Sequence, residues 1–195
     1  MPVDEKKLQE LLDKQACAEV MMTYCRGIDH RDEELLRSVF WPGSQHNHGF
    51  VGPSSDPSRS SRRGEPADFV AYALEVLNTH CRTHHQLGNI FIEVEGDVAF
   101  TEAYFTAFHR LKANSEEGAA SFAFDTQMDF WVGGRYMDRM ERRNGEWKIT
   151  HRIGTNDWQR LDPPSSISYF AMDEDVRMKN TTDDVLYHRR ERFST

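Results

Sequence analysis

From Glu5 to Ile28 the apolar positions Leu8, Leu11, Leu12, Ala16, Val20, Met21 and Tyr24 recur three and four residues apart. That spacing predicts an amphipathic helix that ends near Gly27, with Asp29 where it gives out. Arg31 to Phe40 reads as a second, short helix closed by Trp41-Pro42. The stretch from Gly43 to Gly64 is rich in Ser, Pro, Gly and Arg and has no period, which predicts a long loop. Glu65-Pro66-Ala67-Asp68 then opens a third helix with Phe69, Tyr72, Ala73, Val76 and Leu77 on one face, Pro66 suiting its first turn.

Beyond residue 84 the period changes to two. His85 to Glu95, Val98 to Leu111, Ser121 to Arg142 and Trp147 to Trp158 alternate, and Gly96-Asp97 and Asn144-Gly145 supply hairpin turns. Gly133-Gly134 predicts a bulge or bend that lets the sheet curl. Three helices followed by a curved, mostly antiparallel meander define an α+β fold in which the helices cover one sheet face and leave a cone-shaped hydrophobic cavity. The tail from Leu161 to Thr195 is polar, with at most a short helix around Met172 to Met178. The expected organisation is one α+β barrel domain over residues 1–160 and an extension over 161–195 that covers the pocket mouth or a neighbouring subunit.

Composition narrows the function. A chain of 195 residues with 38% hydrophobic and 29% charged content is expected to fold as one globular domain. Its net charge of −8 disfavours nucleic acid and anionic membrane as partners, and no apolar run reaches the length of a membrane span. Cys17, Cys25 and Cys81 form no CxxC, and Met1-Pro2-Val3-Asp4 lacks the apolar stretch of a signal peptide, so a reduced, cytoplasmic setting is expected.

Two short stretches carry the candidate chemistry. Tyr24-Cys25-Arg26-Gly27-Ile28-Asp29 and Thr83-His84-His85-Gln86-Leu87-Gly88-Asn89 each set a proton-handling side chain at the end of a helix or the start of a strand. A carboxylate that keeps an imidazole in its basic tautomer can abstract a proton without a metal or coenzyme. Asp29 has a purely structural use open to it as well, capping the helix that begins near Arg31. His84 and His85 face opposite ways on a strand, so only one enters the cone; His84 is assigned to the surface. His46-x-His48 has no Cys or Glu pattern to complete a metal site, and Arg59, Arg62 and Arg63 read as a solvated loop or subunit contact. No metal or cofactor is expected.

Taken together, the order of elements, Tyr24 to Asp29 with the following Arg31-Asp32, His85-x-x-Gly88-Asn89, Gly133-Gly134-x-Tyr136-x-Asp138, and Arg142-Arg143-x-Gly145-x-Trp147-Lys148-Ile149 resemble the SnoaL-like branch of the nuclear-transport-factor-2-like superfamily. Within that branch the likeness is nearest to the hexachlorocyclohexane dehydrochlorinases, then to scytalone and bile-acid dehydratases, all cofactor-independent lyases. The resemblance implies that His85 is the base, that Asp29 orients it, that Tyr24 donates a hydrogen bond to a leaving oxygen or oxyanion, and that Arg152 holds an anion. Two departures accompany it: the second acid of the bile-acid dehydratases is replaced by Ala107, and their second histidine position has no evident match.

The expectation is a lyase that eliminates water, halide or a small carbonyl fragment such as formaldehyde from a hydrophobic, aromatic small molecule. The pocket wall is expected from Phe40, Trp41, Phe69, Tyr72, Tyr104, Phe108, Phe130 and Tyr136. An isomerase would use the same parts, and the cone also serves noncatalytic ligand binders and the small subunits of ring-hydroxylating dioxygenases. Self-association is expected in each case, as a homotrimer first and a dimer next.

Overall fold

The computed structural model describes residues 3–49, 61–62, 66–78, 80–113, 125–164 and 172–193. Helix α1 spans Glu5–His30, its first amides held by the Asp4 carboxylate, which accepts from the Lys6 and Lys7 N–H groups at 3.2 Å. It runs three residues beyond the expected end, so Asp29 lies inside the last turn. Arg31, in the left-handed region at φ 52°, closes it. Helix α2 spans Glu33–Ser38, and its N-cap is Asp32, whose side chain accepts from the Leu35 N–H at 2.9 Å. Asp32 therefore does the capping that was open to Asp29.

Cys17, Met21, Tyr24, Cys25 and Ile28 form the buried stripe of α1, whereas Leu8, Leu11 and Leu12 stay exposed. Asp13 already meets the sheet's end: it accepts from the Trp147 indole at 3.0 Å and from Arg142 at 2.8 Å, beside the last hairpin turn. The turns before it run past the sheet, which is why their leucines find no cover.

Strand β1 spans Phe40–Gly49 and pairs parallel with the last long strand, so the predicted loop contributes an edge of the sheet from its first residues. Ser61–Arg62 forms a two-residue β2 on the outer edge of β1. Residues 50–60 and 63–65 of the predicted loop lie outside the described residues, as do Arg59 and Arg63 and the side chains of His48 and Arg62. Helix α3 spans Pro66–Asn78, with Pro66 at its start as expected.

The meander follows as β3 (His80–Glu95), β4 (Val98–Leu111), β5 (Met128–Arg143) and β6 (Glu146–Asp162), each antiparallel to the next; the full sheet order is β2-β1-β6-β5-β4-β3, in which only β1–β6 is parallel. Asn144 and Gly145 take positive φ, 53° and 83°, in the β5–β6 turn. The register shifts between Gly133 and Gly134, where a Cβ on Gly134 would lie 1.8 Å from the Thr155 carbonyl oxygen. Only a residue without Cβ permits that approach, and the bulge there increases the curl of the sheet.

The result is the α+β cone: α1, α2 and α3 cover the inner face of a curled, unclosed sheet. That face carries Ala99, Ala103, Phe105 and Ala107 of β4, Phe130, Val132, Tyr136 and Met140 of β5, and Trp147 and Ile149 of β6, all buried. Near the C terminus a 3-10 turn over Glu174–Val176 replaces the expected short helix, and Arg189–Arg192 forms α4.

Candidate active site

The last turn of α1 delivers Asp29 against the start of β3, and the two predicted residues touch. His85 Nδ1 lies 2.7 Å from Asp29 Oδ1, the His85 backbone N–H donates to Oδ2 at 2.8 Å, and the Thr83 hydroxyl donates to Oδ1 at 2.9 Å. The His85 and Asp29 side chains are 7% and 10% exposed. Burial works to raise the Asp29 pKa. The hydrogen bond and charge of His85, its backbone N–H and the Thr83 hydroxyl outweigh it and hold Asp29 below the ordinary carboxylate range. An ionised carboxylate only accepts, so the neutral imidazole carries its proton on Nδ1 and its lone pair on Nε2. That is the tautomer a general base requires. His84 is exposed, as expected.

A second imidazole shares this end of the cone. His109 stands opposite Thr83 across the β3–β4 ladder, its ring edge-on to His85 at 5.2 Å and tilted against Phe130 at 5.8 Å. Sequence reading passed over it, although the signal was present: His109 shares its parity with Phe105 and Ala107, and all three lie on one face of β4. Ala107 itself pairs with His85, so a methyl group occupies the place where the bile-acid dehydratases were expected to carry an acid.

A second buried cluster is built on Arg152. Its Nε and Nη2 each donate to Asp138 at 2.6 Å, and both side chains are 0% exposed. The guanidinium lies over the rings of Tyr24 at 4.1 Å, Tyr136 at 4.6 Å and Phe40 at 6.0 Å. Burial opposes its charge, but the Asp138 carboxylate more than offsets this and raises the Arg152 pKa further. The Asp138 carboxylate thus neutralises Arg152, whose guanidinium is wholly buried. Burial likewise pushes the Tyr24 and Tyr136 phenols up, opposed in part by Arg152, so both are neutral donors.

Phe40 and Phe69 complete this aromatic wall around Tyr24, with ring centroids 6.1 and 6.4 Å away, and the buried His46 ring stacks on Phe69 at 4.1 Å. Of the expected wall residues, Phe40, Phe69, Phe130 and Tyr136 are buried. Tyr104 and Phe108 do not: they have the opposite parity on β4 and face outward, Tyr104 against Arg135 and Phe108 against Trp131. Trp41 also lies away from the cone, its indole donating to the Glu141 carbonyl at 2.9 Å with Arg143 and Lys148 over its ring. The Tyr72 side chain lies outside the described residues. Among the described residues no three His, Cys, Asp or Glu side chains gather as a metal site, and no helix is long and apolar enough to cross a membrane.

The domain is thus a cone-shaped α+β fold that buries a carboxylate–imidazole pair and, in a second cluster, a neutralised arginine among phenols. The family model for the SnoaL-like domain matches residues 9–153, and the chain belongs to that family. Solved structures agree on the fold. A type 2 hexachlorocyclohexane dehydrochlorinase (LinA) superposes with a TM-score of 0.63 at 20% identity, covering 83% of this chain and 95% of that one. A scytalone dehydratase-like protein from Novosphingobium aromaticivorans gives 0.60 at 18%, over 82% and 97% of the two chains. The Kfla4162 protein from Kribbella flavida gives 0.62 at 19%, over 77% and 95%. Among curated proteins no sequence matches.

Proposed function

We propose that the protein is a cofactor-independent lyase in which His85, held by Asp29, removes a proton from a hydrophobic, aromatic small molecule and so expels water, halide or a small carbonyl fragment. The observation that carries this reading is the Asp29 carboxylate, which takes three hydrogen bonds from Thr83 and His85 and leaves Nε2 as the base. When Nε2 takes the proton, the imidazolium forms beside an ionised carboxylate that already carries the compensating charge. Tyr24 and Tyr136, kept neutral, can donate to a developing oxyanion, and the Arg152 guanidinium over both rings adds positive charge beside them. An isomerase would keep the first step and return the proton to another carbon.

The test uses aryl-substituted compounds that bear an acidic C–H beside a halide or hydroxyl leaving group, with hexachlorocyclohexane as the saturated comparison, read by chloride release and mass spectrometry. His85→Ala is expected to lower kcat/KM by roughly 10²–10⁴-fold with ligand affinity nearly unchanged. Full turnover in that variant would sink the proposal. Co-purification with a larger metal-containing partner, with no turnover by the isolated chain, would point to an accessory subunit. The outer sheet face exposes Phe91, Phe100, Tyr104, Trp131 and Trp158, and we assign it to self-association, with a trimer expected in light scattering.

A further inference from the structure

The end of α1 that carries Asp29 is not held by the helix alone. The last four carbonyls of a helix lack intrahelical donors. Two of those near this end are served locally: the Gly27 carbonyl accepts from the Asp32 N–H at 3.0 Å and that of Ile28 from the Arg31 N–H at 3.3 Å. Arg31 must take a left-handed conformation to do so, which costs a side-chain-bearing residue about 1 kcal/mol. The next carbonyl is that of Asp29 itself, and its donor comes from the other end of the chain, where the Asn180 side-chain amide reaches it.

Asn180 belongs to a folded strap that grips both flanks of Asp29. The Asp184 carboxylate, buried, accepts from the Lys179 N–H at 2.7 Å and the Leu186 N–H at 2.8 Å, which fixes the strap's own turn. The same carboxylate lies 3.7 Å from His30 Nε2, immediately after Asp29. The Tyr187 hydroxyl donates to Asp32 at 2.8 Å, while its ring meets His30 edge-on and lies under Arg26.

We propose that Asn180 is a positioning residue for the Asp29–His85 pair, the tip of a C-terminal strap that fixes the last turn of α1 and with it the direction of the Asp29 carboxylate. The inference rests on that pair being the working base. A misplacement of about 1 Å in such a pair is enough to cost roughly 10²-fold in rate, so a side chain that touches only a backbone carbonyl can still govern turnover. The expected tail function, cover for a pocket mouth or neighbour, is thereby joined by one within the chain.

The experiment needs no substrate. In the uniformly ¹⁵N-labelled full chain, the proton on His85 Nδ1 is followed by NMR and its exchange with water is measured beside the backbone amides of β4 and β5. Asn180→Ala and the isosteric Asn180→Asp, which lacks the donor, should each speed Nδ1–H exchange about tenfold while the sheet amides change less than about twofold. Tyr187→Phe, which loosens the strap without touching Asp29, should act in the same direction by about threefold. Unchanged Nδ1–H exchange in both Asn180 variants overturns the proposal and leaves the pair intact. Acceleration spread equally over the sheet amides also overturns it, because the strap would then only stabilise the fold. If the parent itself shows no proton held between His85 and Asp29, the reading of the pair fails first.

Discussion

Removing the carboxylate beneath Arg152 is the perturbation for which the structure gives the largest expected loss of stability. Asp138→Asn keeps the volume but replaces a bidentate ion pair, both members fully buried, with an amide whose NH₂ faces the guanidinium. Two unit charges about 4 Å apart attract by about 4 kcal/mol at an effective dielectric constant near 20. Stranding one member of a buried pair typically costs about 3–5 kcal/mol. The phenols of Tyr24 and Tyr136 cannot replace the lost charge, since burial keeps them protonated. We therefore expect Asp138→Asn to lose about 3–5 kcal/mol, which in a chain of this size lowers Tm by roughly 6–20 °C. Arg152→Met combined with Asp138→Leu removes both charges and should recover most of that loss, ending within about 1–2 kcal/mol of the parent. Urea unfolding at neutral pH, with midpoints compared at constant slope, reads all three proteins. A loss below about 1 kcal/mol in Asp138→Asn, or a double variant less stable than Asp138→Asn, would refute the reasoning, because water would then be solvating the pair.

Two further predictions test the acid site and the bend. Asp29 and Asp184 both have folded pKa values below their ordinary 3.8, so each binds its proton more weakly in the folded chain. Their contribution to stability is complete above that value and is lost as pH falls through the lower folded values; Asp29→Asn should flatten the acid limb of a stability–pH curve, and an unchanged slope would contradict the assignment. Gly134→Ala drives a methyl group into the Thr155 backbone and should cost about 1–3 kcal/mol or more, whereas Gly88→Ala, with nothing within 4 Å of its Cβ, should stay within about 0.5 kcal/mol; equal melting points for the two would show that the strand crossing is looser than the geometry implies.

Periodicity made the meander legible from Val98 onward, and the turn at Asn144-Gly145 because its chemistry leaves few alternatives. Strand β1 was not legible. Trp41-Pro42-Gly43-Ser44-Gln45 carries turn residues, and its extended form is imposed by the parallel pairing of Gln45, His46 and Asn47 with β6, a tertiary demand that local preference does not announce. Tyr104 and Phe108 were placed on the right strand and the wrong face. The bulk of an aromatic suggested the interior, but the inner positions of β4 include the buried Ala99, Ala103 and Ala107 beside Phe105, while Phe100, Tyr104 and Phe108 share the outward parity. The acid–imidazole pair was legible because two junctions carried unlike titratable groups. The Asp138 partner of Arg152 was not, since nothing in the spacing of residues 138 and 152 says that they oppose each other across the β5–β6 ladder.

One carboxylate bonds both the ring and the main-chain N–H of His85, so Asp29 fastens the first residues of β3 to the helix whether or not any proton is ever moved. A descendant that had abandoned chemistry and lost the imidazole would still need an acceptor there to keep its strand in place. Survival of the acid alone is therefore no sign of an enzyme among relatives of this chain.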